Sequence, residues 1–101
     1  MDVRINTQRF TADKKLTDHV NEKIKKLSTF HDRITTVDVF LKLDNVVHNI
    51  KDKVAEIKVH IPGHTFFVKN ESKTFEESFD ESLQSMTTQI KRHKEKSMAV
   101  H

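Results

Sequence analysis

Four basic side chains, Lys15, His19, Lys23 and Lys26, recur at intervals of four, four and three residues. At 100° per residue a helix carries them within about 80° of arc. Ammonium groups spaced several ångströms apart suit a phosphate backbone, which they hold by charge and release as salt rises. A wet helix face supported by Asp18 and Glu22 would look the same in sequence. A second basic group, Lys91, Arg92, Lys94 and Lys96, falls near the C-terminal end, with Glu95 and His93 between its members. Five acids (Glu71, Glu76, Glu77, Asp80 and Glu81) precede it, against one lysine, Lys73. That order also complements a helix dipole without any ligand. Taken together, the two basic groups on neighbouring helices would offer a joint cationic surface that reads the shape of folded RNA rather than base sequence.

Other constellations carry less chemistry. Histidines stand at 19, 31, 48, 60, 64, 93 and 101, but no spacing matches a zinc pattern. His60 and His64 bracket a turn, a placement that could bring them near each other. The chain contains no cysteine, which excludes disulfide scaffolds and thiol nucleophiles. There is no nucleophile motif, no pair of carboxylates in an apolar setting and no glycine-rich loop, since the chain has one Gly and one Pro. The expectation is a binding protein, not an enzyme, with no cofactor, no metal and no small-molecule substrate. No apolar run reaches the length that spans a bilayer, and the N-terminus lacks a signal core. A cytoplasmic location without a membrane partner follows. Net charge is +3, a mild bias toward anions.

The elements that must position these residues are marked by periodicity. The chain of 101 residues is 35% hydrophobic and 33% charged, lean for a core, so regular placement of the apolar residues matters. One domain, residues 1–101, is expected. Residues 2–7 alternate, with Val3 and Ile5 on one side. Thr11 is the expected N-cap, with Asp13 in the first turn, of a helix over about 12–29 carrying Leu16, Val20, Ile24 and Leu27. Residues 35–44 and 54–61 alternate as strands, with Val37, Val39, Leu41, Leu43, Ala55, Ile57, Val59 and Ile61 inward. The segment 44–53 is a polar loop into which Val46 and Val47 extend a strand. Pro62-Gly63-His64 marks a turn and 65–70 the last strand. Thr74-x-x-Glu77 opens a helix whose apolar stripe is Phe75, Phe79, Leu83, Met86, Ile90 and His93.

Alternating strands with one apolar face require a cover, and two amphipathic helices supply it. The fold class is α+β, in the order β-α-β-β-β-α, a four-stranded sheet with both helices on one face. The other face would carry Arg4, Asp38, Phe40, Lys42, Glu56, Lys58, His60 and Phe67. Phe40 and Phe67 there could stack bases or form a protein contact. The preferred reading of the last strand, however, is a register one residue different, with Phe67 inward and Phe66 outward.

Several pieces of the chain resemble the ribosome hibernation-promoting factor and ribosome-associated inhibitor family, also called sigma-54 modulation protein. They are Lys23-x-x-Lys26-Leu27, Phe30-x-Asp32-Arg33-Ile34, Val37-x-Val39-x-Leu41-Lys42, Pro62-Gly63, Phe79-Asp80 and Gln89-x-x-Arg92-His93-Lys94-x-Lys96. The resemblance implies a double-stranded-RNA-binding-domain-like fold. It implies binding to the small ribosomal subunit and its 16S rRNA, with occupation of the mRNA and tRNA channel that silences translation under stress or in stationary phase. The rRNA-binding candidates are Lys15, Lys23, Lys26, Lys91, Arg92, Lys94 and Lys96, of which Lys23, Lys26, Arg92, Lys94 and Lys96 match basic family positions. Two positions depart from the pattern, Ser85 and Thr88 standing where the family is usually basic. Thr74-Phe75-Glu76 also replaces the usual Asp-Met-Tyr. The chain resembles a short form without the C-terminal dimerisation domain, and its own pairing into a homodimer stays open. The alternative is a protein-interaction module on the same fold with weak or no ribosome binding.

Overall fold

The computed structural model describes residues 1–44 and 52–99, with side chains described through 96. Strand β1, Asp2–Gln8, leads into helix α1, Lys14–Ile24. The cap of α1 is Asp13, not Thr11. Asp13 holds an extended backbone, and its Oδ1 accepts a hydrogen bond of 2.8 Å from the Leu16 amide. The shift has a packing cause. Arg9 turns the chain with φ 69°, and Phe10 stacks on Phe75 with ring centroids 4.1 Å apart. That contact keeps residues 9–12 out of the helix.

The last turn of the helical segment tightens to a 3-10 geometry over Lys25–Thr29. Two hydroxyls there compete for main-chain carbonyls, Ser28 Oγ donating to Lys25 O and Thr29 Oγ1 to Lys26 O. Strands β2, Thr36–Leu43, β3, Lys53–Ile61, and β4, His64–Ser72, follow, and helix α2, Phe75–Ala99, ends the fold. Val46 and Val47 lie outside the described residues. The Asp44 amide donates to the Asp52 carbonyl at 2.8 Å.

The sheet order is β1-β2-β3-β4, with β1 parallel to β2 and the other pairs antiparallel. A parallel neighbour requires a crossover, and α1 is that crossover. Val3, Val37, Val59 and Phe66 stand in one registered row, and Ile5, Val39, Ile57 and Val68 in the next. The α+β arrangement read from periodicity is therefore the observed one. Leu16, Val20, Ile24 and Leu27 from the first helical segment join Phe79, Leu83, Met86 and Ile90 of α2 in one core over that face.

Small side chains let α2 approach the sheet closely. Ser78 and Ser82 are fully buried. Ser82 Oγ donates to the Ala55 carbonyl at 2.9 Å and accepts from Asn70 Nδ2 at 3.0 Å. At its start, Thr74 Oγ1 accepts from the Glu77 amide.

The register of β4 corrects the preferred reading of that strand. Phe66 is 2% exposed and Phe67 is 47% exposed. The turn decides this. Pro62 fixes one φ, Gly63 takes φ 80°, and Ile61 pairs directly with His64. Phe66 then falls opposite Val59 and Phe67 opposite Lys58. His60 and His64 consequently point to opposite faces. His60 pairs with Asp38 at 3.4 Å on the open face, while His64 lies on the helix side.

The open face is a lattice of opposed charges more than a stacking platform. Lys42 Nζ lies 2.7 Å from Glu56 and 5.9 Å from the Phe40 ring centre. Arg4 reaches Asp2 at 3.5 Å and Asp38 at 4.0 Å.

Candidate nucleic-acid interface

Leu27 and Leu83 seat the two helical segments against the core, and a groove runs between them. Its volume is about 420 Å³, and its walls include Lys23, Lys26 and Phe30 on one side and Asp80, Thr87, Thr88 and Lys91 on the other. The spacing explains the convergence. Leu83, Thr87 and Lys91 recur every four residues along the flank of α2 that faces α1, and Lys23 and Lys26 flank buried Ile24 and Leu27. Lys91 Nζ sits 4.7 Å above the Phe30 ring centre, a cation–π contact that holds the ammonium at the rim. Three lysines against one carboxylate leave the groove at +2.

The carboxylate is placed with care. Asp80 Oδ1 lies 2.8 Å from His19 Nε2, and Asp80 Oδ2 lies 3.3 Å from Lys23 Nζ. Each oxygen thus engages one base on α1, and the His19 ring meets Phe79 edge-on at 6.0 Å. One side chain of α2 ties down two successive turns of α1. It also occupies a cation that a phosphate would otherwise meet.

The remaining candidates go elsewhere. Arg92 and Lys96 line a recess on the opposite flank of α2, beside Gln89, His64 and His93. At 100° per residue Arg92 stands about 100° from Lys91, and Lys96 about 140°. The run 91–96 therefore divides around the helix and does not merge into one plate. Lys15 and Lys94 are exposed and line neither recess. A shallow depression between the two flanks is lined by Asn70, Glu81, Gln84, Ser85, Thr88, Gln89 and Arg92. Thr88 thus puts a neutral hydroxyl between the two cationic patches, while Ser85 stands about 20° from Arg92, on the flank that carries Arg92 and Lys96. Asp80 and Phe30 are contributors that charge counting passes over. Phe79-Asp80 and Phe30 do lie within the segments that carry the family resemblance.

Among the described residues no cluster of three or more His, Cys, Asp or Glu is placed to hold a metal ion. Among them, too, no helix is long and apolar enough to cross a membrane.

Comparison with known proteins follows the same line. The family model described as Sigma 54 modulation protein / S30EA ribosomal protein matches residues 3–98. A ribosome hibernation promoting factor of Pseudomonas putida is 30% identical over 100 residues, covering 99% of this chain and 93% of that protein. One from Azotobacter vinelandii is 30% identical over 96 residues, covering 95% and 85%. Among solved structures, a ribosomal subunit interface protein from Coxiella burnetii superposes with a TM-score of 0.82 at 19% identity, covering 93% of this chain and 98% of that one. The N-terminal domain of Thermus thermophilus Protein Y superposes with a TM-score of 0.77 at 25% identity, covering 92% and 99%.

Proposed function

The chain belongs to the Sigma 54 modulation protein / S30EA ribosomal protein family, and from that premise we propose that it binds the small ribosomal subunit in the cytoplasm and silences translation by occupying the mRNA and tRNA channel. Curated relatives named ribosome hibernation promoting factors support a role at the ribosome. The observation that carries the finer reading is the groove where Lys23, Lys26 and Lys91 converge between two helices. Phosphates of 16S rRNA are the ligands whose chemistry fits it. The protein acts by filling space, and no bond is made or broken. Arg92 and Lys96 add cations on the other flank of α2, and Lys15 and Lys94 stand exposed outside both recesses. Binding of this kind falls off steeply with salt, by about 0.7–0.9 in log K per log unit of salt for each phosphate engaged.

Sedimentation with purified small subunits tests the reading. The protein should travel with the subunit in a low-salt gradient and leave it at high salt. A Lys23→Ala/Lys26→Ala/Lys91→Ala variant should stay folded and remain at the top of the gradient. Wild-type protein found only at the top at low salt would overturn the proposal. A second reading, a protein-interaction module on the same fold, is favoured by the neutral depression around Ser85 and Thr88. Ribosome association indifferent to salt, or a stable complex with a non-ribosomal partner, would select it.

A further inference from the structure

On the flank of α2 away from the lysine groove, two imidazoles face each other. His93 stacks on His64 of β4 with ring centroids 4.5 Å apart and planes 24° from parallel. Phe66 supports both rings edge-on, at 4.5 Å from His64 and 5.2 Å from His93. The recess they form has a volume of about 220 Å³, and Arg92, Lys96 and Gln89 complete it. None of the side chains that line it is a carboxylate.

We propose that His64, His93, Arg92 and Lys96 form a second phosphate subsite, distinct from the Lys23, Lys26 and Lys91 groove, that grips RNA phosphate more tightly as pH falls through the imidazole range. This rests on the reading of the chain as an RNA-binding factor. The site commits to phosphate by its donors: a guanidinium, an ammonium, two imidazoles and an amide.

The surroundings set the direction. Burial lowers the pKa of His93, and His64, His31 and Lys96 lower it further by their positive charge. His64 comes from β4, His31 from the turn after the 3-10 segment, and Lys96 and Arg92 from α2 itself. Glu95 stands about 160° around the helix from His93, on the far side. Protonation therefore meets only repulsion in the free protein. An anion in the recess cancels that repulsion, so phosphate and protons bind with mutual support. Arg92 and Lys96 supply two full charges, and each imidazole that takes up a proton adds one.

The test uses fluorescently labelled full-length protein and purified small subunits at fixed ionic strength. Between pH 7.5 and 5.8 the wild type should gain about tenfold in affinity, the equivalent of roughly one pKa unit of stabilised imidazolium. A His64→Gln/His93→Gln variant should gain less than about twofold. Proton NMR of the wild type alone, titrated with inorganic phosphate against chloride, gives a readout that does not depend on the variant folding. The His64 and His93 titration curves should move to higher pH with phosphate and not with chloride. Equal pH dependence in wild type and variant, or curves unmoved by phosphate, would overturn the subsite. If subunits fail to bind at either pH, the ribosomal reading falls. The phosphate titration then decides the subsite by itself, upheld by curves that move and overturned by curves that do not.

Discussion

Replacing Asp80 by Asn tests how the groove is built. Asp80 holds His19 at 2.8 Å and Lys23 at 3.3 Å, with its side chain 41% exposed and that of Lys23 38% exposed. At that exposure the Lys23 pair contributes on the order of 0.2–1 kcal/mol. The His19 contact is shorter and its ring better shielded, and Asn retains one oxygen that can accept from it. The net loss on Asp80→Asn is then about 1 kcal/mol, which lowers Tm by about 4–8 °C in a domain of this size. RNA binding should move the other way. Without the carboxylate, groove charge rises from +2 to +3 and Lys23 Nζ becomes free to meet a phosphate. One more phosphate contact steepens the salt slope by about 0.7–0.9, which is about threefold in relative affinity between 200 and 50 mM salt. Thermal melting gives the first quantity, and subunit binding across a salt series gives the second. A folded Asp80→Asn protein that binds more weakly, with a shallower slope, would refute the reasoning. Asp80 would then be holding Lys23 in place for the phosphate rather than competing with it.

Other variants address separate parts of the structure. Ser82→Ala removes a buried hydroxyl bonded to Ala55 O and Asn70 Nδ2, and should cost about 1–2 kcal/mol by urea denaturation. Ser78→Ala loses only a local bond to Phe75 O and should be near neutral in the same assay. Ser85→Lys/Thr88→Lys adds one cation beside Arg92 and one between the two patches, and should steepen the salt slope of subunit binding by about 1.4–1.8. Stability should also follow His93. Its folded-state pKa lies below the ordinary value, so the unfolded chain binds the proton more readily. The contribution is intact above about pH 6.5 and shrinks as pH falls through that value toward the lower folded one. The urea midpoint should therefore drop more between pH 7.5 and 5.5 in the wild type than in His93→Gln.

Most of the fold was legible because each element has one apolar face. Val37, Val39 and Leu41 alternate, as do Ala55, Ile57 and Val59, and all six are 0% exposed, so a period of two names them without further help. Periodicity is silent where two like residues adjoin. Phe66 and Phe67 are chemically identical, and only the two-residue Pro62-Gly63 reversal fixes which one faces the helices. It is silent again where two residues can do the same local job. Thr11 and Asp13 are both good caps, and the choice falls to Phe10, which must reach Phe75 across the fold. Parallel pairing of β1 with β2 is a property of the crossover, and the alternation of either strand carries no trace of it.

The candidate site was legible in its charges and hidden in its azimuths. A run such as Lys91-Arg92-His93-Lys94 reads as one patch along the chain, yet a helix turns each residue about 100° from the last. Lys91 is thereby delivered to the α1 side, and Arg92 to the β4 side with Lys96. Nothing in the sequence brings Asp80 to His19, 61 positions away, or to Lys23, 57 positions away. Both contacts follow from where the apolar stripes of α1 and α2 come to rest on the same sheet. The consequence for recognition is geometric. A flat cationic plate would suit a single phosphate track, whereas a helix with cations on both flanks suits the space between two tracks. Folded RNA offers such spaces wherever two backbones run side by side, and a protein that reads shape can use them without touching a base.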